Sequence, residues 1–122
     1  MSRIVLERVD RFSKRLENLE HYLREEAEDD YLADQIQKYS SLAADAVFQT
    51  EFPETHDDYI NSLKYCLLYL SKIRLWLTMA NDKGYLEYQT YISLRRECDE
   101  LFKIFMRKTK KLFEDLLGDI DL

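Results

Sequence analysis

The chain has 122 residues, the size of one domain, with 46% hydrophobic residues, 34% charged residues and a formal net charge of −6. That acidic balance, with a sequence pI near 5.0, argues against a dedicated nucleic-acid binder, whose affinity comes mostly from phosphate contacts by a basic surplus. Two glycines and one proline leave long stretches without a breaker, which favours helices over the closely spaced turns of a β-fold. The N-terminus lacks a signal-peptide pattern, and no apolar run is long enough to span a membrane, so the expected setting is cytoplasmic and soluble.

Apolar residues fall into four runs spaced alternately by four and three, the period of helices packed at small crossing angles. The first run is Val5, Val9, Phe12, Leu16, Leu19 and Leu23, on a helix of roughly 3–26. Charges between them, including Arg3, Glu7, Arg8, Arg11, Lys14 and Arg15, read as a solvated face. The acidic cluster Glu25, Glu26, Glu28, Asp29 and Asp30 suits a boundary, because carboxylates disfavour a helix C-terminus and favour the next N-terminus. A second helix, roughly 30–50, carries Leu32, Ile36, Tyr39, Ala43 and Ala46, with small residues at Ser40, Ser41 and Ala44 that admit a close neighbour.

Pro53 stops that helix, and Thr55-His56-Asp57-Asp58 resembles a capping box with Asp in place of Glu. The third helix, roughly 56–82, places Tyr59, Leu63, Cys66, Leu70, Ile73, Leu77 and Ala80 on one arc. Asn81-Asp82-Lys83-Gly84 closes it, with Gly84 suited to the left-handed conformation. A fourth helix, roughly 87–117, carries Tyr91, Leu94, Cys98, Leu101, Phe105, Leu112 and Leu116. Short connections between such helices force neighbours antiparallel, so the expected fold is all-α, an up-down four-helix bundle forming one domain over 1–122.

Two features exceed what a bundle needs. The third helix bears a second apolar arc at Leu68, Leu75 and Met79, with Trp76 beyond its edge. Either this helix is buried between two neighbours or the arc is an oligomer interface, a role that nine tyrosines and one tryptophan in a small chain also favour. On the fourth helix Arg96, Lys103, Arg107, Lys110 and Lys111 share an arc opposite the apolar stripe, a candidate contact for nucleic acid or a partner. The competing reading is an ordinary solvated face, since Glu100 and Glu114 fall within the same arc.

Catalytic constellations are missing. His21 and His56 have no Glu-x-x-His pairing, Cys66 and Cys98 lie in the apolar phase of their helices, and no glycine-rich phosphate loop occurs. The expectation is a non-enzymatic protein without cofactor or metal.

Asp58-Tyr59-Ile60-Asn61-Ser62-Leu63, Ile73-Arg74-Leu75-Trp76-Leu77 and Asn81-Asp82-Lys83-Gly84-Tyr85-Leu86 resemble the "four helix bundle protein" family, also called 23S rRNA intervening-sequence or S23-type proteins. Leu32-Ala33-Asp34-Gln35 and Ser41-Leu42-Ala43-Ala44-Asp45 are similar to that family's second helix, with Asp45 where Asn is usual. The wider superfamily includes Avd, the accessory variability determinant of diversity-generating retroelements. The resemblance implies a homopentameric scaffold, and in Avd-like members a partner of a reverse transcriptase and its RNA or DNA through a basic surface. Ala46 to Thr50 depart from the family's Ile-Ala-Glu-Gly. An S23-type bundle or adaptor acting only through protein–protein contacts is the alternative.

Overall fold

The computed structural model describes residues 2–118 as four helices, α1 (Ser2–Glu25), α2 (Asp30–Glu51), α3 (His56–Asp82) and α4 (Tyr88–Gly118). Residue 1 and residues 119–122, which the sequence reading placed in the same domain, lie outside the described residues. The helices form the expected antiparallel four-helix bundle. Around its square α1 packs on α2, α2 on α3 and α3 on α4, while α1 and α4 approach along much less of their length.

The four-three spacing gives each helix one narrow stripe, and four stripes meet in one core. All six residues of the first run are buried, as are Leu32, Ile36, Ala43 and Ala46 of α2. On α3 the buried set is Leu63, Cys66, Leu70, Ile73, Leu77 and Ala80, and on α4 it is Leu94, Cys98, Leu101 and Phe105. Truncating a fully buried leucine such as Leu77 to alanine in such a core costs about 2–5 kcal/mol. Leu116 shares the core phase of α4 but is exposed. Pairing of Cys98 with Leu70, through a 3.3 Å contact from Sγ to the carbonyl, sets the register in which α4 runs past the start of α3.

The connections follow local chemistry. Thr55 caps α3, its Oγ1 accepting the Asp58 N–H at 3.0 Å. At the other end of α3, Gly84 sits at φ +77°, Tyr85 N–H donates to Ala80 O and Gly84 N–H to Asn81 O, which satisfies the last carbonyls in a Schellman turn. Between α1 and α2 the left-handed position falls on Glu28, at φ 54°, without glycine's freedom. There Ala27 N–H reaches Tyr22 O and Asp29 N–H reaches Leu23 O, a wider exit than the one at Gly84.

Asp29 ties these two connections together. One oxygen accepts the Leu32 N–H at 3.1 Å as the α2 cap; the other accepts Lys83 Nζ and the Tyr85 hydroxyl, each at 3.1 Å. The capping bond to Leu32 and the Lys83 ammonium hold the Asp29 carboxyl below its ordinary value, while Lys83 is raised by the same contact. The opposite end of the bundle is joined by Lys108, which reaches from α4 to Glu51 at the end of α2, 3.2 Å away.

Two outcomes are expected from this architecture. Asp29→Ala lowers stability at neutral pH by about 1–2 kcal/mol, the cost of losing a helix cap. Because the folded carboxyl titrates below its unfolded value of about 3.9, the stabilisation is present above that value and fades as pH falls through the folded one. Urea denaturation of both proteins at neutral pH and at a series of acid pH values below the ordinary carboxylate range should show the gap narrowing as the folded carboxyl is protonated. The two thiols offer a second check: burial pushes both Cys66 and Cys98 up to about 12. A thiol reagent should leave the native chain unmodified at mildly alkaline pH and label both cysteines once the chain is unfolded.

Candidate functional site

Two faces on opposite sides of the square stand apart from an ordinary solvated surface. One is the outer side of α3, bordered towards α2 by aromatic rings. There Leu68, Leu75 and Met79 are exposed, at 44%, 48% and 37%, and Trp76 is half-buried at their edge. The alternative of a helix buried between two neighbours is not what the fold provides, because α3 packs on both α2 and α4 with this arc still facing outward. Tyr65 extends it, so Tyr65, Leu68, Lys72, Leu75 and Met79 recur at spacings of three and four, a seam interrupted by one lysine.

Aromatic side chains from both helices frame that seam. Tyr31 meets Trp76 edge to face at 5.8 Å, Tyr39 lies 6.2 Å from Tyr69, and Tyr69 stacks on Tyr65 at 5.7 Å. The Trp76 indole N–H is buried without a hydrogen-bond partner among the described residues. An unsatisfied buried donor costs about 1–3 kcal/mol. The tyrosines were not singled out from the sequence; their signal was the continuation of the α3 spacing to Tyr65 and the aromatic content itself.

The second face is the outer side of α4, next to the α1–α4 seam. Arg96, Lys103, Arg107, Lys110 and Lys111 all lie exposed on α4, and none is ion-paired among the described residues. The other two α4 cations are engaged: Arg95 with Asp99 at 3.3 Å and Lys108 with Glu51. A second basic row, which the sequence reads only as part of a solvated face, lies on α1. Arg8, Arg11, Lys14 and Arg15 line the α1–α4 seam opposite Glu97 and Glu100, two of them bridged to α4 through Arg8–Glu100 and Arg15–Glu97, both 2.6 Å. Spacings of three and four in this row were visible, but not which neighbour it faces.

Helices α1 and α4 are bridged by these ion pairs between extended side chains and pack along little of their length, and a groove lies between them. Its basic half occupies about 560 Å³ over Leu101, and a further 440 Å³ continues past Arg15 to Tyr22, Tyr85 and Leu86. The α1–α2 seam is tighter and polar, with Ser40, Ser41 and Ala44 of α2 opposite Glu17, Glu20 and His21 of α1. Among the described residues, no group of three or more His, Cys, Asp or Glu side chains is placed to hold a metal, and no helix is long and apolar enough to cross a membrane.

No protein-family model matches the chain. No curated protein matches it. Among solved structures it is similar to a protein of unknown function from the S23 ribosomal protein family of Bacteroides thetaiotaomicron VPI-5482, with a TM-score of 0.84 and 21% sequence identity over 89% of this chain and 97% of that one. This chain therefore shares its fold, over nearly the whole length of both proteins, with a member of the S23 ribosomal protein family.

Proposed function

We propose that this protein is a non-enzymatic, self-assembling scaffold of the S23 and Avd-like superfamily, acting in the cytoplasm. The observation that carries the reading is the α2–α3 face: three exposed apolar side chains of α3 beside a chain of contacting aromatic rings and an unpartnered indole N–H. Interface cores are enriched in Tyr, Trp and Met, and contiguous apolar surface of this kind marks contact with another protein. Burying Leu68, Leu75 and Met79 against a second copy would recover about 1.5–3 kcal/mol per fully covered large side chain.

The assembly proposed is a homopentamer, the form that the family resemblance implies. A cyclic pentamer needs a heterologous contact, in which one face of each protomer meets a different face of the next. Arranged so, the α4 cations of each copy add to one ring of positive charge, which gives an acidic chain a local surface for nucleic acid and for a reverse transcriptase bound to it. Absence of ion pairs on Arg96, Lys103, Arg107, Lys110 and Lys111 among the described residues favours this use. A bundle working only through protein contacts is the second reading, supported by the net charge of −6.

Light scattering tests the assembly. The native chain should have the mass of five copies, and Leu68→Glu/Leu75→Glu should reduce it to a folded monomer; a native monomer would contradict the proposal. Binding of single-stranded RNA tests the second part. Affinity should fall steeply with salt, and Arg107→Glu/Lys111→Glu should weaken it by about 10-fold or more, since each phosphate contact contributes to the salt slope. Unchanged or absent binding would leave the reading of protein contacts alone.

A further inference from the structure

The groove between α1 and α4 has a composition that neither self-assembly through α2–α3 nor a nucleic-acid stripe on the outer side of α4 uses. Its α1 wall is basic, with Arg8, Arg11, Lys14 and Arg15, whereas its α4 wall carries Glu97 and Glu100. At the end nearest the interhelical connections the basic row gives way to aromatic side chains, where Tyr22 is 44% exposed and stands beside half-buried Tyr85 and Leu86, with Asn18, Glu87 and Thr90 at the rim. Leu19, Leu94 and Leu101 form the floor.

A phosphate backbone is a poor match for this arrangement. It carries negative charge on every side, would face the two carboxylates of the α4 wall, and has nothing to place on the tyrosines. A helix with one apolar edge and one acidic edge matches the α1 wall and the floor, and keeps its charge on the side away from Glu97 and Glu100. Carboxylates on the side towards α1 would pair with Arg11 and Lys14, while leucine-sized anchors would enter beside Tyr22 and Leu86. Arg11 has no ion-pair partner among the described residues, and Lys14 pairs only with exposed Asp10, at 3.1 Å. From Arg8 to Tyr22 the groove runs about 20 Å along α1, room for roughly four helical turns.

We infer that the α1–α4 groove is a docking site for an acidic amphipathic helix of a partner protein, laid along the seam as a fifth helix. The groove lies across the bundle from the α2–α3 face and shares no lining residue with it. The inference does not rest on the number of copies.

The test is selection from a displayed library of amphipathic helices, each about 15 residues long, with leucines fixed at i, i+3, i+4 and i+7 and all flanking positions randomised. Selected on the full chain, the peptides should carry Asp and Glu along one edge. Fluorescence anisotropy should then show binding weakened about 10-fold or more by Arg11→Glu/Lys14→Glu, and similarly by Thr90→Trp, which fills the aromatic end of the groove. Circular dichroism of both variants checks that the bundle is intact, and either folded variant suffices for the comparison. Three results overturn the inference: no enrichment above that on the folded variants, enrichment of Lys and Arg, or displacement of the selected peptide by single-stranded RNA. The last would assign the groove to a polyanion.

Discussion

In a square of four helices each member has two neighbours, and the interior accepts one narrow stripe from each. A side chain outside that stripe is covered only where an adjacent helix comes close. The molecule follows from how unevenly this constraint is met. Three of the four edges are closely packed, one is not, and one helix brings more apolar surface than the interior can take. On α3, Cys66, Leu70, Ile73 and Leu77 fill the allotted stripe, which leaves Leu68, Leu75 and Met79 pointing away from the bundle. On the opposite side, Arg8 and Arg15 stand where a tighter bundle would have small or apolar side chains, and they hold α4 through Glu100 and Glu97 instead.

Both departures are costly for a protein that acts alone. Exposed leucines invite aggregation, and a seam bridged by half-exposed ion pairs gains little, about 0–1 kcal/mol per pair. The interior and the connections carry the stability, with Asp29 joining two connections at one end and Lys108 reaching Glu51 at the other. That division leaves two faces free for partners: an aromatic and apolar one suited to another copy of the chain, and a charged groove suited to a different protein.

Fold and caps were legible because they depend on near neighbours in sequence. The four-three spacing identifies Val5 to Leu23 as one buried stripe, and Gly84 and Thr55 announce their turns by residue type. Glu28 shows the limit of such signals: its left-handed backbone belongs to the wide turn from α1 to α2, and nothing in a glutamate announces it. Leu116 keeps the core period, yet whether it is covered depends on where the other helices end. The α4 cations could be placed on one arc from spacing alone, but that Arg8, Arg11, Lys14 and Arg15 of α1 line a groove with Glu97 and Glu100 became apparent only when the helices were set side by side. Pairwise packing is a property of the assembled bundle, so the groove had no signature in either helix by itself.

Trp76 gives direct access to the central claim that the α2–α3 face is covered by another copy. It is the single tryptophan of the chain and borders the exposed arc, with Leu75 beside it in sequence and Tyr31 against its ring. Acrylamide quenching of its fluorescence, compared between the native chain and Leu68→Glu/Leu75→Glu, reads whether that edge is sheltered. Stronger quenching in the variant, and in the native chain on dilution, is the result predicted. Equal quenching in both proteins at every concentration would contradict the account.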